Sequence, residues 1–129
     1  MSLKKVTTQN ISVNVITVYV PSESEPAQKK YFFAYKILIK NNGNEPAQLV
    51  SRHWIITDAF GHQEEVRGPG VVGLQPRLMP QQSFEYESAC PLSTSTGSMR
   101  GTYHFVDDNG ESFTVDIPEF FLVSPQAIH

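Results

Sequence analysis

One cysteine, one tryptophan and no long apolar run set the first limits on this 129-residue chain. A lone Cys90 has no partner for an intrachain disulfide, so the reducing cytoplasm is the expected compartment. No window approaches the ~18 consecutive apolar residues of a spanning helix, and no membrane insertion is expected. The N-terminal stretch from Met1 to Val20 is broken by Thr7, Thr8, Gln9 and Asn10, where a signal peptide needs an unbroken apolar region. Charge is scarce too, at 18% of residues, and its balance is 10 Lys and Arg against 13 Asp and Glu. A general nucleic-acid binder needs a basic surplus to neutralise phosphates, so that class is excluded. Apolar residues make up 40% of the chain, which excludes disorder. At this length one domain is expected over 1–129, with a core at about 7–123 and short flexible ends.

What is present is alternation. Ile11, Val13 and Val15 alternate with Ser12 and Asn14, and the apolar phase then jumps to Ile16, Val18 and Val20, which predicts a bulged first strand ended by Pro21. After a polar loop, Tyr31, Phe33, Tyr35, Ile37 and Ile39 share one face of a second strand, with Lys36 and Lys40 on the other. The run Asn41-Asn42-Gly43-Asn44 predicts a turn built on residues that tolerate positive φ. A third strand, Leu49 to Asp58, is expected to bring Val50, Trp54 and Ile56 to one face, and a short strand follows from His62 to Arg67. Pro76 and Pro80 forbid a helix in the next segment. Strands resume with Phe84 and Tyr86 inward, then Met99, Gly101, Tyr103 and Phe105, and Asp108-Asn109-Gly110 closes a hairpin onto Phe113, Val115 and Ile117. Seven or eight strands with no helical window longer than a turn predict an all-β, antiparallel β-sandwich.

The sharpest local signal is Gly68-Pro69-Gly70-Val71-Val72-Gly73. Its spacing is that of a dinucleotide fingerprint, in which glycines let backbone N–H groups approach a pyrophosphate. The fingerprint also needs a following helix, which Pro76 and Pro80 deny, and Pro69 removes one donor. Two readings stay open: a crossover between sheets, or an anion nest at Gly68, Gly70 and Gly73 flanked by Arg67 and Arg77. No metal site is expected, because His53, His62, His104 and His129 lack ligand spacing, and neighbouring Glu64 and Glu65 face opposite sides of a strand. Asp107 and Asp108 fall at a hairpin, where Asp serves turn geometry. Cys90 reads as a small buried residue rather than a nucleophile, and no serine elbow, Walker loop or HExxH is present. Trp54 is expected to anchor the core, with Arg52 on its face and paired to a carboxylate.

Tyr31-Phe32-Phe33-Ala34-Tyr35, Leu49-Val50-Ser51-Arg52-His53-Trp54, the glycine loop through Pro76, Gly101-Thr102-Tyr103 and Phe113-Thr114-Val115-Asp116-Ile117-Pro118 follow in an order that resembles the ApaG family of bacterial proteins over about residues 7–123. The resemblance implies a fibronectin type III-like sandwich without established enzymatic activity, a domain used elsewhere for interaction, and a link to cobalt resistance and magnesium efflux. It also carries over a pyrophosphate site at Gly68, Gly70 and Gly73. The expected function is therefore a non-catalytic interaction module with no cofactor. Its partner would be an unidentified protein or a second copy of the chain through an edge strand. Binding of a nucleotide or pyrophosphate by the glycine loop is the alternative.

Overall fold

The computed structural model describes residues 2–127. Nine strands follow in chain order among them: β1 Ser2–Thr8, β2 Ile11–Tyr19, β3 Tyr31–Asn41, β4 Ala47–Asp58, β5 Gln63–Pro69, β6 Arg77–Leu78, β7 Ser83–Leu92, β8 Thr96–Asp107 and β9 Ser112–Val123. Three single 3-10 turns, each opened by a proline, are the only helical pieces there. One sheet has the order β1-β2-β3-β7 and the other β5-β4-β8-β9, with β6 added to β4. Every pairing is antiparallel. The expected all-β sandwich is the observed architecture.

The inner face of each sheet is written by alternation. In the first sheet Ile11, Val13 and Val15 stand opposite Asn41, Ile39 and Ile37, and Phe33, Ile37 and Ile39 stand opposite Cys90, Tyr86 and Phe84. Most of these are buried, and Phe84 packs at the margin. In the second sheet Leu49, Trp54, Met99, Tyr103, Phe105, Val115, Ile117, Phe120 and Leu122 supply the facing layer. Trp54 lies edge-on to Tyr35, Tyr103 and Phe120, with ring centroids 5.7, 6.4 and 5.9 Å away, so it anchors the core as expected.

Four sequence expectations change. The predicted bulge in the first strand is absent: β2 keeps one register with β3 from Ile11 to Tyr19, so Ile16 and Val18 face outward and Val18 is 48% exposed. Bulges occur instead in β4, between Leu49 and Ser51, and in β9, where Pro118 and Glu119 stand against Arg100 alone. Each bulge switches the inward phase, from Leu49 to Trp54 and from Ile117 to Phe120, and Val50 therefore does not share the buried face with Trp54. The expected first strand is the second: Gln9 and Asn10, with φ of 47° and 68°, turn β1 back onto β2. The turn after β3 uses no positive φ at 41–44. The buried Asn41 amide holds it, donating to the carbonyls of Glu45 and Leu78 and accepting from the Gly43 N–H.

The two sides of the sandwich differ. β9 packs against β1 and β2, and the Asp116 N–H donates to Thr8 Oγ1 at 3.2 Å, which closes one side. On the other side the edge strands β5 and β7 do not pair, and a cleft opens between the sheets.

Candidate functional site

The glycine loop continues β5 and turns back over β4. Val71 and Leu74 exchange backbone hydrogen bonds of 2.8 and 2.9 Å, and the residues between them, Val72 and Gly73, both have positive φ, at 43° and 81°. That is the signature of a tight two-residue turn of type I′. The Gly70 N–H donates to the Val50 carbonyl at 2.7 Å, so the amides of Gly70, Val71 and Leu74 are all taken up within the protein.

Each glycine has a packing reason of its own. Gly70 has φ +59°, and a Cβ there would lie 2.1 Å from the Leu74 carbonyl oxygen. At Gly68 a Cβ would press against the Arg52 guanidinium, 3.1 Å from both terminal nitrogens. Gly73 needs only its positive φ, since nothing lies within 4 Å of a Cβ. The spacing is thus that of a strand end and a turn within one sheet: β5 and β6 both pair with β4, so the loop is not the expected crossover, and the chain passes to the other sheet only later, between Leu78 and Ser83.

The flanking arginines do not converge on the loop. Arg67 lies on the outer face of β5 with its guanidinium 3.5 Å from Glu65, and Arg77 makes a two-point pair with Asp108, 2.6 Å at the closer contact. Glu65 also accepts from His53 at 2.8 Å, and that bond holds its carboxyl below the usual range. Glu64 turns to the inner side of β5, as alternation requires. Of the four histidines, His129 lies outside the described residues; among those described, no cluster of three or more His, Cys, Asp or Glu has metal-ligand geometry.

The residue that sequence reasoning misplaced is Arg52. It was expected to pair with a carboxylate, yet its Nη1 donates to the carbonyls of Pro69 and Gly70, each at 2.9 Å. Among the described residues no carboxylate stands within ion-pair distance of it. The available signal was the pairing of β4 with β5, which sets Arg52 directly against Gly68, a residue without a side chain. Arg52 lines the open cleft of about 310 Å³ between β5 and β7, together with Tyr35, Trp54, Glu64, Val66 and Cys90. Burial raises the Tyr35 hydroxyl pKa, with Ser88 and Arg52 acting in the opposite sense, and burial, with the nearby Glu64 charge, pushes the Cys90 thiol up to about 11. A thiol held that far above neutrality is inert, in line with the small-buried-residue reading of Cys90.

A second concavity, of about 510 Å³, lies on the outer face of the first sheet. Val18, Ala34 and Ala89 stand in one cross-strand row, and the two alanines leave a hollow beside the taller row of Ile16, Lys36 and Glu87.

The ApaG domain model matches residues 21–107, from the loop after β2 to the end of β8. Protein ApaG of Bdellovibrio bacteriovorus is 60% identical over 127 residues, which are 98% of this chain and the whole of that protein. Protein ApaG of Acidithiobacillus ferrooxidans is 55% identical over 119 residues, covering 92% of this chain and 94% of its own. A crystal structure described as the putative ApaA protein from Bordetella pertussis superposes with a TM-score of 0.87 at 54% identity, over 90% of this chain and 94% of that one. The fold and the sequence likeness agree over nearly the full length, and the chain belongs to the ApaG domain family.

Proposed function

We propose that the protein is a non-catalytic interaction module that docks another protein on the outer face of the β1-β2-β3-β7 sheet. The observation that carries this reading is the two-sided apolar character of β2. A strand with one face on the core and one in water alternates apolar with polar, whereas apolar residues on both faces suit a strand covered on both sides. In β2 the core side holds Ile11, Val13 and Val15, and the outer side, polar at Ser12 and Asn14, turns apolar over its second half with Ile16 and a Val18 that is 48% exposed. The adjoining alanine row forms a hollow that an apolar side chain of a partner would fill, and Lys36 and Glu87 at its border supply charges of both signs.

The link to cobalt resistance and magnesium efflux that the family resemblance implies then runs through the partner, in the cytoplasm, rather than through a metal bound by this chain. Val18→Glu puts a charge into the hollow from an outward position, so folding is retained while docking is lost. In a strain lacking the protein, the unmodified chain should recover a stoichiometric partner and restore cobalt tolerance, and V18E should do neither. Retention of the partner by V18E, or recovery of none under several growth conditions, sinks the reading. Sedimentation of the purified chain separates a second copy from a foreign partner, since only a dimer of this chain forms without lysate.

A further inference from the structure

The Arg52 guanidinium has five N–H donors, and the structure uses the two on Nη1. Those two bonds fix the plane of the group, and Gly68 lets it lie flat against the β5 backbone. The opposite edge, formed by Nε–H and one Nη2–H, is a pair of parallel donors turned away from the loop. Such an edge matches the two oxygens of a carboxylate, and here its orientation is set before any ligand arrives.

We propose that this edge binds a carboxylate carried on an apolar body, with the body lying in the cleft between β5 and β7. The walls fit that chemistry, because Trp54 and Val66 line the cleft one ladder step of two residues from the Arg52–Gly68 pair, and Ile56 and Met99 continue the apolar wall to the level of Glu64. They fit a phosphate dianion less well. Among the described residues Arg52 is the one cation lining the cleft, so the second charge of a dianion would go uncompensated, and Glu64, four residues along the β4–β5 ladder from the Arg52–Gly68 pair and so about 13 Å away, adds no positive charge to hold it. The site is separate from the outer sheet face and does not depend on docking there.

The test uses the unmodified full chain and N-acetyl-L-phenylalanine, followed through the Trp54 indole N–H resonance, which is unambiguous because the chain has one tryptophan. The acid should shift this resonance and saturate at millimolar concentration, while N-acetyl-L-phenylalanine amide should bind at least tenfold more weakly. R52K keeps the charge but loses the paired donors, and should weaken the acid at least tenfold. Gly68→Ala crowds the guanidinium from the other side and should weaken it as well. Equal affinity for acid and amide, or tighter binding of inorganic phosphate than of the acid, overturns the assignment even if both variants unfold. A tetrapeptide acid ending in Phe, compared with its amide, separates the two sources of this chemistry. Tighter binding than the single residue marks a chain terminus, and equal binding marks a free small acid; either outcome supports the site.

Discussion

Val72 is the most strained residue of the glycine loop. A β-branched side chain at φ 43° is sterically disfavoured, and the strain costs on the order of 1–2 kcal/mol. Gly73, which follows, completes a turn for which Asn-Gly is the favoured pair. The Val72 side chain is 55% exposed, so replacing it removes little packing. Val72→Asn should therefore stabilise the protein by about 1 kcal/mol, read as a higher urea midpoint at unchanged slope. An unchanged or lower midpoint would mean that neighbouring Leu74 and the loop gain from the valine more than the geometry loses. The same residue shows what a spacing motif can hide. GxGxxG was legible in the sequence, but its glycines have three separate reasons: the Arg52 guanidinium against Gly68, which exists only once β4 and β5 have paired, the Leu74 carbonyl against Gly70, and the positive φ of Gly73.

At the scale of elements, the join between the sheets is partly polar. Tyr86 of β7 and Tyr103 of β8 share a buried hydroxyl–hydroxyl bond across the core. Burial raises both phenol pKa values above their ordinary position, and the bond between them partly relieves this for Tyr86. A raised folded-state pKa means the folded chain keeps protons that the unfolded chain releases. The stabilisation is complete below the unfolded tyrosine pKa of about 10 and is lost as pH rises beyond it, by up to about 1.4 kcal/mol per pH unit for each phenol. Urea midpoints should accordingly be level between pH 8 and 9 and fall steeply above 10, and Tyr103→Phe should flatten that fall. In this variant the Tyr86 hydroxyl loses its partner, at a cost of about 1–3 kcal/mol near neutral pH. A fall of the same slope in Y103F would assign the alkaline loss to other groups.

Element reading from sequence succeeded where alternation ran unbroken, as in β3 and β7, and failed at each change of phase. A bulge and a strand apolar on both faces produce the same local pattern of shifted apolar residues. Only the partner strand distinguishes them, because a bulge in β4 or β9 changes the register and the outward Ile16 and Val18 of β2 do not. β1 was missed for a related reason. Its residues are mostly polar or charged, and its strand character comes from the Gln9-Asn10 turn that returns it to β2.

The whole molecule is a sandwich closed on one side and open on the other, and this asymmetry sets where it yields. Strands β3, β4 and β8 are each paired on both edges, so exposing their amides requires breaking the sheets. β5 is paired only to β4, none of its residues is buried, and it borders the open cleft. The closing side lacks this weakness, because β9 covers β1 and β2. Local openings cost less than global unfolding where few buried contacts must break. Hydrogen exchange should therefore reach the β5 amides and the glycine loop well before those of β3 and β8, and denaturant should accelerate it only weakly, since little surface is exposed in the opening. Two carbonyl bonds from Arg52 tie the loop end of β5 to β4. R52K should accordingly hasten exchange in β5 and the loop while leaving β3 and β8 within the shift expected from global stability. Exchange in β5 as slow as in β3, with the same steep denaturant dependence, would mean that the sandwich opens only as a unit and that its open side is no softer than its closed one.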